Sequence, residues 1–237
     1  MQLRNSQDFQ LGLGRATLAI AGPFALAGEA SRDIYLERLL VVSSVTGMVT
    51  RLRVARQNLI QSNQGFPVSM LFPEQQDDQG AAIGLPLKGG LQVDIDGDLD
   101  GAGTIGASIG TAPLMPGAPV DVDAIELYNY IFGMGEDIVA APGPFILEAV
   151  ALRDVVLGCG PYIEAIGGSL SEVSSFRIAG AEMLSGDQAV DSRILAPFNT
   201  DVDGMMVGKR LKAGESIIIE GILDAADTIR GGLFLLE

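Results

Sequence analysis

The chain contains no histidine, and this absence excludes more functions than any other feature of its composition. Histidine is the commonest general base in enzymes and a frequent ligand of zinc and iron. Without it, a Ser-His-Asp triad, a Cys-His pair and any metal centre built from histidine are excluded. Chemistry based on carboxylates or lysine alone stays open in principle. We expect a protein that is not an enzyme and that binds no cofactor.

Cysteine, tryptophan and long apolar runs are rare or missing. Cys159 is the only cysteine, so the chain cannot form an internal disulfide. The apolar stretch 16–28, "ATLAIAGPFALAG", is shorter than the roughly 20 residues that a membrane-spanning helix needs. It looks like the core of a signal peptide, but a similar stretch recurs in mid-chain, where a signal peptide has no place. We therefore expect no signal peptide and synthesis in the cytoplasm.

Positive charge is also scarce. Lys and Arg number 15 against 30 Asp and Glu residues, so the net charge is −15. Such a surface repels phosphate groups, and we expect no direct binding of nucleic acid. Residues 1–113 contain 11 acidic and 8 basic residues, a net charge of −3, whereas residues 114–237 contain 19 and 7, a net charge of −12. The two parts of the chain therefore present differently charged surfaces.

What the sequence does contain is an internal repeat. The segment 12–36, "GLGRATLAIAGPFALAGEASRDIYL", matches 133–157, "GMGEDIVAAPGPFILEAVALRDVVL", at a constant distance of 121 residues. Further along the distance becomes 124 residues, and "LKGG" at 87–90 matches "LKAG" at 211–214. Residues that recur at these two distances include Gly12, Gly14, Gly22, Pro23, Phe24, Arg32, Asp33, Arg53, Gln64, Gly97, Asp100 and Thr104. We infer a tandem duplication with three residues inserted in the second copy.

The repeat predicts two domains, a first barrel at 1–113 and a second barrel at 114–237. A linker at about 111–123, "TAPLMPGAPVDVD", is rich in Pro and Ala and joins them. The segment 123–132, "DAIELYNYIF", fits either a short helix or the first strand of the second copy. Both readings stay open at this point.

An acidic stretch at 91–106, "LQVDIDGDLDGAGTIG", raises the question of a calcium site, because aspartates occupy alternate positions: Asp94, Asp96, Asp98 and Asp100. A calcium-binding EF-hand loop needs Gly at its sixth position and Glu at its twelfth, where this chain has Leu99 and Ile105. The second copy has Ile218, Glu220, Ile222 and Asp224 at the corresponding places. Alternation predicts instead a β-hairpin with a solvated acidic face. A weak ion site on the four aspartates is the alternative.

Short segments rich in β-branched residues, bounded by Gly, Pro, Asn or Asp, predict the fold class. Each copy contains about seven of them, and no segment has a clean helical period over fifteen residues. We predict an all-β protein made of two tandem antiparallel β-barrels or sandwiches of the jelly-roll type, related by internal duplication.

Two similar fused barrels resemble the double jelly-roll major capsid proteins of tailless icosahedral viruses. The likeness is carried by the paired "GPF…RD" segments and the paired "LK(G/A)G…G.LD…TI" segments, and it covers nearly the whole chain. The resemblance implies a structural virion protein that forms homotrimers, which act as pseudo-hexagonal tiles of the shell. It implies contacts with neighbouring capsomers and with minor capsid proteins or an internal membrane. A small chain such as this one has little room for the tower loops of larger relatives.

Three other functions are alternatives to this one. A bicupin enzyme is also a tandem β-barrel, but its metal site rests on histidine. A carbohydrate-binding or adhesin module usually offers exposed Trp or Tyr, and this chain has no Trp and only four Tyr. Another phage structural protein, from a tail or a baseplate, is the remaining alternative.

Overall fold

A computed structural model of the chain describes residues 9–55, 57–71, 81–113, 130–158, 160–186, 188–195 and 208–236. We call residues 9–113 the first half and residues 130–236 the second half. The strands of the first half are β1 Phe9–Leu18, β2 Gly22–Glu29, β3 Ile34–Ser43, β4 Gly47–Val54, β5 Gln57–Asn58, β6 Phe66–Pro67, β7 Ala81–Leu87, β8 Gln92–Leu99 and β9 Gly103–Pro113. A 3₁₀ helix, Val68–Leu71, follows β6.

The described residues of the second half form these strands: β10 Tyr130–Val139, β11 Gly143–Val150, β12 Val155–Leu157, β13 Tyr162–Ala165, β14 Ser171–Ile178, β15 Ala181–Glu182, β16 Val190–Asp191, β17 Arg210–Leu211, β18 Ser216–Leu223 and β19 Asp227–Leu236. One helical turn, α1 Ser192–Leu195, follows β16. The predicted all-β class is therefore confirmed, and the open segment 123–132 is a strand from Tyr130 onward; its earlier residues lie outside the described ranges.

Each half folds into two antiparallel sheets. In the first half one sheet has the order β1-β9-β3-β7, and the other has the order β2-β8-β4-β5, with β6 also paired to β4. In the second half one sheet has the order β10-β19-β12-β17, with β13 also paired to β19, and the other has the order β11-β18-β14-β15, with β16 paired to β14. The strand order of one half thus follows that of the other.

Alternation of apolar residues explains how the sheets pack. In β2 and β8 every second residue is buried, and β11 and β18 repeat the same pattern. Because successive strand residues point to opposite faces, each strand presents one apolar face to the core. The buried faces of the two sheets meet between them; in the first half this core includes Leu13, Phe24, Leu26, Leu36, Leu39, Val93, Ile95, Ile105 and Ile109.

Irregularities of the backbone also occur at equivalent places. The register of β1 shifts between Gly12 and Gly14, and that of β10 shifts between Gly133 and Gly135, 121 residues later. Both Gly14 and Gly135 have positive φ, of 93° and 74°, which glycine adopts without strain. Among the described residues, the non-glycine residues with positive φ are Ala55 and Ala179, which are 124 residues apart and follow β4 and β14.

The expected hairpin at 91–106 is wrong. β8 pairs with β2 on one edge and with β4 on the other, while β9 lies between β1 and β3. Because both edges of each strand are already occupied, β8 and β9 cannot pair with each other, and the turn between them carries the chain from one sheet to the other. The same holds for β18 and β19. The linker also starts later than expected, since residues 111–113 belong to β9.

One strand differs between the two halves. β3 runs unbroken beside β9, whereas its counterpart is divided into β12 and β13, with residues 158–161 between them. Asp33 and Asp154 each accept a hydrogen bond from a turn amide, from Gly89 N and from Ala213 N, both at 2.9 Å. The first of these bonds holds the turn that follows β7, and the second holds the turn that follows β17.

Candidate functional site: the contact between the two halves

The four aspartates do not converge on one point. Asp94, Asp96 and Asp98 lie on the outward face of β8, and Asp100 lies in the turn that follows. Asp96 forms an ion pair with Arg51, and Asp94 accepts a hydrogen bond from the side chain of Gln92. Within the described ranges, no group of three or more His, Cys, Asp or Glu side chains is arranged to hold a metal ion. The acidic face is solvated and is partly neutralised by its neighbours.

The two halves are joined by a contact that has both polar and apolar parts. Residues 59–71, which we call the first docking segment, lie between the halves: β6 within the segment pairs with β4 of the first half, and other residues of the segment bond to the second half. Gln61 N donates to Ile131 O and Ile131 N donates to Leu59 O, both at 2.9 Å, so the segment adds a short parallel bridge to the edge of β10. Further bonds join Gly135 N to Gly65 O at 3.0 Å and Val150 N to Asn63 Oδ1 at 2.8 Å.

Glycines of the second half let this segment approach closely. A Cβ added to Gly133 would collide with the backbone carbonyls of Gln64 and Gly65. A Cβ added to Gly232 would lie 2.5 Å from the sulfur of Met70. Met70 is fully buried. The outward face of β10 and β19 is therefore shaped to receive the first docking segment, because any larger side chain would push it away.

Arg230 forms the electrostatic part of the same contact. Its guanidinium donates two hydrogen bonds to Asp100, at 2.7 and 2.6 Å, and a third to Glu136 at 2.9 Å. Asp100 belongs to the first half, whereas Glu136 lies opposite Arg230 on the neighbouring strand β10. Bidentate pairing of this kind fixes geometry as well as charge. We call this group the arginine clamp.

The pKa values of the clamp follow from these bonds. Burial acts to raise the pKa of Asp100, but the hydrogen bonds from Arg230 and Thr46 and the charge of Arg230 outweigh it, so the pKa lies below its ordinary value. Burial likewise acts to lower the pKa of Arg230, and its two carboxylate partners outweigh that effect and raise it. Both groups are therefore charged over the whole neutral range.

A second polar cluster lies beside the 3₁₀ helix. Ser69 Oγ donates a hydrogen bond to Glu164 Oε2, and the hydroxyl of Tyr162 donates to Ser69 Oγ at 3.2 Å. Burial and then the negative charge of Glu164 raise the pKa of Tyr162 to about 12, although the bond to Ser69 acts in the opposite direction. These three side chains satisfy one another where the apolar contact around Met70 ends.

Sequence reasoning missed this contact. Arg230, Glu136 and Met70 stand in ordinary strand or loop contexts, and nothing in their local spacing sets them apart. One signal was present in the repeat: Gly12 and Gly133 recur at the same place, and a glycine inside a strand marks a bulge or a close approach of another backbone. Of the four predicted site residues, only Asp100 takes part in the contact.

Comparisons with known proteins assign the chain to no family. No protein-family model matches the chain, and no curated protein sequence is significantly similar to it. Among the described residues, no helix is long and apolar enough to cross a membrane.

Proposed function

We propose that the protein is the major capsid protein of a double jelly-roll virus, and that each half is one jelly-roll barrel that arose by tandem duplication. The observation that carries the proposal is the strand order. In a jelly roll the first strand lies beside the last, and the second lies beside the last but one, in two facing sheets. The pairs β1 with β9 and β2 with β8 follow this order, as do β10 with β19 and β11 with β18.

The repeated irregularities support the duplication. The paired bulges at Gly12 and Gly133, and the aspartates Asp33 and Asp154 that hold equivalent turns, recur at the distances found in the sequence. Unrelated halves that had converged on one fold would have no reason to share such details. A gene duplication accounts for them together with the matching strand order.

The contact between the halves supports a role as a building block of a shell. A tile needs barrels that keep a fixed relation to each other while their sides stay available to neighbours. The first docking segment and the arginine clamp hold the barrels by backbone bonds, close apolar packing and a bidentate ion pair. These bonds fix the position of one barrel against the other, which a flexible linker between two modules would not do.

The proposal has consequences for partners and location. The protein acts in the virion, as homotrimers that contact neighbouring capsomers. Because its net charge of −15 repels phosphate groups, minor capsid proteins or an internal membrane separate the shell from the genome. No enzymatic step and no cofactor enter this function.

The mass of the purified chain in solution tests the proposal. We expect three chains of 24.7 kDa, or about 74 kDa, in light scattering after size exclusion. Electron microscopy of that peak should show particles with a hexagonal outline, or shells. A monomer that persists over a wide range of protein and salt concentrations would refute the capsid function. Glycan-array binding by such a monomer would favour the carbohydrate-binding module instead.

A further inference from the structure

The first docking segment has a counterpart in the second half. Residues 59–71 correspond to 183–195 at the distance of 124 residues, and the described parts of the counterpart, 183–186 and 188–195, form the second docking segment. β6 corresponds to β16, and the 3₁₀ helix Val68–Leu71 corresponds to α1 Ser192–Leu195. The second half therefore carries a segment of the same form, and the strands that α1 packs against, β13, β14 and β16, belong to the second half itself.

The face that receives the first docking segment also has a counterpart. In the second half, Gly232 lies between Gly133 and Tyr162 in the sheet register. In the first half, Ser108 occupies the same position between Gly12 and Leu40. We call this surface of β1, β9 and β3 the open face, because a Cβ added to Gly12 would meet no described atom within 4 Å.

Exposed apolar side chains mark both counterparts. Met70 is 0% exposed against the second half, whereas Ile194, its equivalent in α1, is 61% exposed. On the open face Val42 is 65% exposed, at the edge of a groove of about 360 Å³ lined by Arg15, Val42, Ser43, Ser44, Thr104 and Gly106. The second docking segment and the open face therefore each expose an apolar surface that no described residue covers. Their counterparts, the first docking segment and the outward face of β10 and β19, cover each other.

Charge is also arranged for such a contact. In the existing contact, Asp100 from one half reaches Arg230, which lies opposite Glu136. The counterpart of Asp100 is Asp224, at the start of an equivalent turn. On the open face, Arg15 occupies the position that corresponds to Glu136, and it lies opposite Gly106, which corresponds to Arg230. The open face therefore has its arginine on β1, whereas the existing contact has it on β19, the counterpart of the neighbouring strand β9. Arg15 still lies on the face where it can pair with an aspartate.

We propose that the second docking segment of one copy binds the open face of a second copy of this chain, with Ile194 against Ser108 and Leu40 and with Asp224 beside Arg15. The contact repeats the one between the halves of a single chain. It is head-to-tail, because each copy offers one docking segment and one open face, so it builds a ring or an open chain of copies and not a two-fold dimer. This inference rests on the proposed function, under which three copies close the ring.

Two substitutions that each remove one of the surfaces test the contact. Gly12→Glu places a bulky acidic side chain on the open face, and Ile194→Glu places one on the second docking segment. We expect each variant alone to be a folded monomer by circular dichroism and light scattering. Ile222→Glu is the matched control, because the equivalent position in the first half is the solvent-exposed Asp98, and we expect it to assemble like the wild type.

Mixing the two variants gives the decisive result. Each variant keeps the surface that the other has lost, so an equimolar mixture should form heterodimers and grow no further. If the mixture stays monomeric, or if each variant still forms the wild-type oligomer, the proposed contact is wrong while the capsid function stands. A wild type that is monomeric at every concentration would overturn the capsid function itself.

Cysteine cross-linking keeps the test independent of the stability of these variants. The double substitution Ser108→Cys with Ile194→Cys should give a ladder of disulfide-linked copies on a non-reducing gel, whereas each single substitution should not. Met70→Cys with Gly232→Cys is the intrachain counterpart and should close a bond within one chain. A ladder absent from the first pair, while the second pair cross-links, would overturn the inference.

Discussion

Replacement of Asp100 by alanine should weaken the contact between the halves by a measurable amount. Asp100 accepts two hydrogen bonds from Arg230, whose side chain is only 6% exposed and keeps Glu136 as a carboxylate partner after the change. Hydrogen bonds to charged groups contribute about 1.5–3 kcal/mol. The side chain of Asp100 is 33% exposed, so water screens part of the pair. We therefore expect a loss of about 2 kcal/mol in the free energy of unfolding.

Urea unfolding at one protein concentration measures this loss. For a slope of about 3 kcal/mol per M, the midpoint should fall by roughly 0.7 M. Asp98→Ala is the matched control, because it removes the same charge two residues earlier from an exposed position. It should change the stability by no more than about 0.5 kcal/mol. Equal shifts for the two variants would refute the clamp as a source of stability.

The pH dependence provides a second check with a definite sign. The pKa of Asp100 is lowered in the folded chain from its ordinary value of 3.8. A carboxylate of this kind stabilises the fold above its unfolded pKa, and the stabilisation is lost as the pH falls through the folded pKa. The difference between wild type and Asp100→Ala should therefore be constant from about pH 7 to about pH 5 and should shrink below about pH 4. A difference that grows in acid would contradict the assigned pairing.

Four further outcomes are expected. Gly133→Ala, whose Cβ would strike backbone carbonyls, should cost about 1–3 kcal/mol in urea unfolding, whereas Gly12→Ala should change the stability of the monomer by less than about 0.5 kcal/mol. Gly97→Ala and Gly221→Ala each place a methyl group against a phenylalanine ring and a backbone carbonyl, so both should lower the thermal midpoint; a loss in only one of them would argue against equivalent cores. In an absorbance titration, Tyr162 should ionise near pH 12, and Tyr162→Phe should remove that step. Because the pKa of Tyr162 is raised, the contribution of its neutral hydroxyl to stability is complete below about pH 10 and is lost toward pH 12. Calcium at about 1 mM should give the same thermal midpoint as a chelator does. A calcium site with a dissociation constant near 0.1 mM would stabilise the fold by about 1.4 kcal/mol at that concentration, and a rise of the midpoint would therefore support the ion-site alternative.

The strand positions could largely be predicted from the sequence. The alternation in β8 predicted which side chains are buried, because the direction of a side chain in a strand depends only on its own position. The repeat predicted equivalent turns, and the aspartates Asp33 and Asp154 indeed hold equivalent turn amides. The all-β class followed from the same local patterns of β-branched residues and turn residues.

The partners of those strands could not be predicted in the same way. Hydrogen bonding between strands joins residues that are far apart in the chain, so β8 and β9 looked like a hairpin although they belong to opposite sheets. A short turn fits both arrangements, and the choice depends on which edges other strands have already occupied.

The contact between the halves was decided by the tertiary structure alone. Met70 and Arg230 have no local pattern that separates a buried partner of another barrel from an ordinary strand or loop residue. Their roles arise because the fold brings Gly232 and Asp100 next to them across 162 and 130 positions of the chain (70 to 232 and 100 to 230). Local periodicity is written into the order of the residues, whereas such a contact depends on where two folded barrels meet, and this position is set only when both cores have formed.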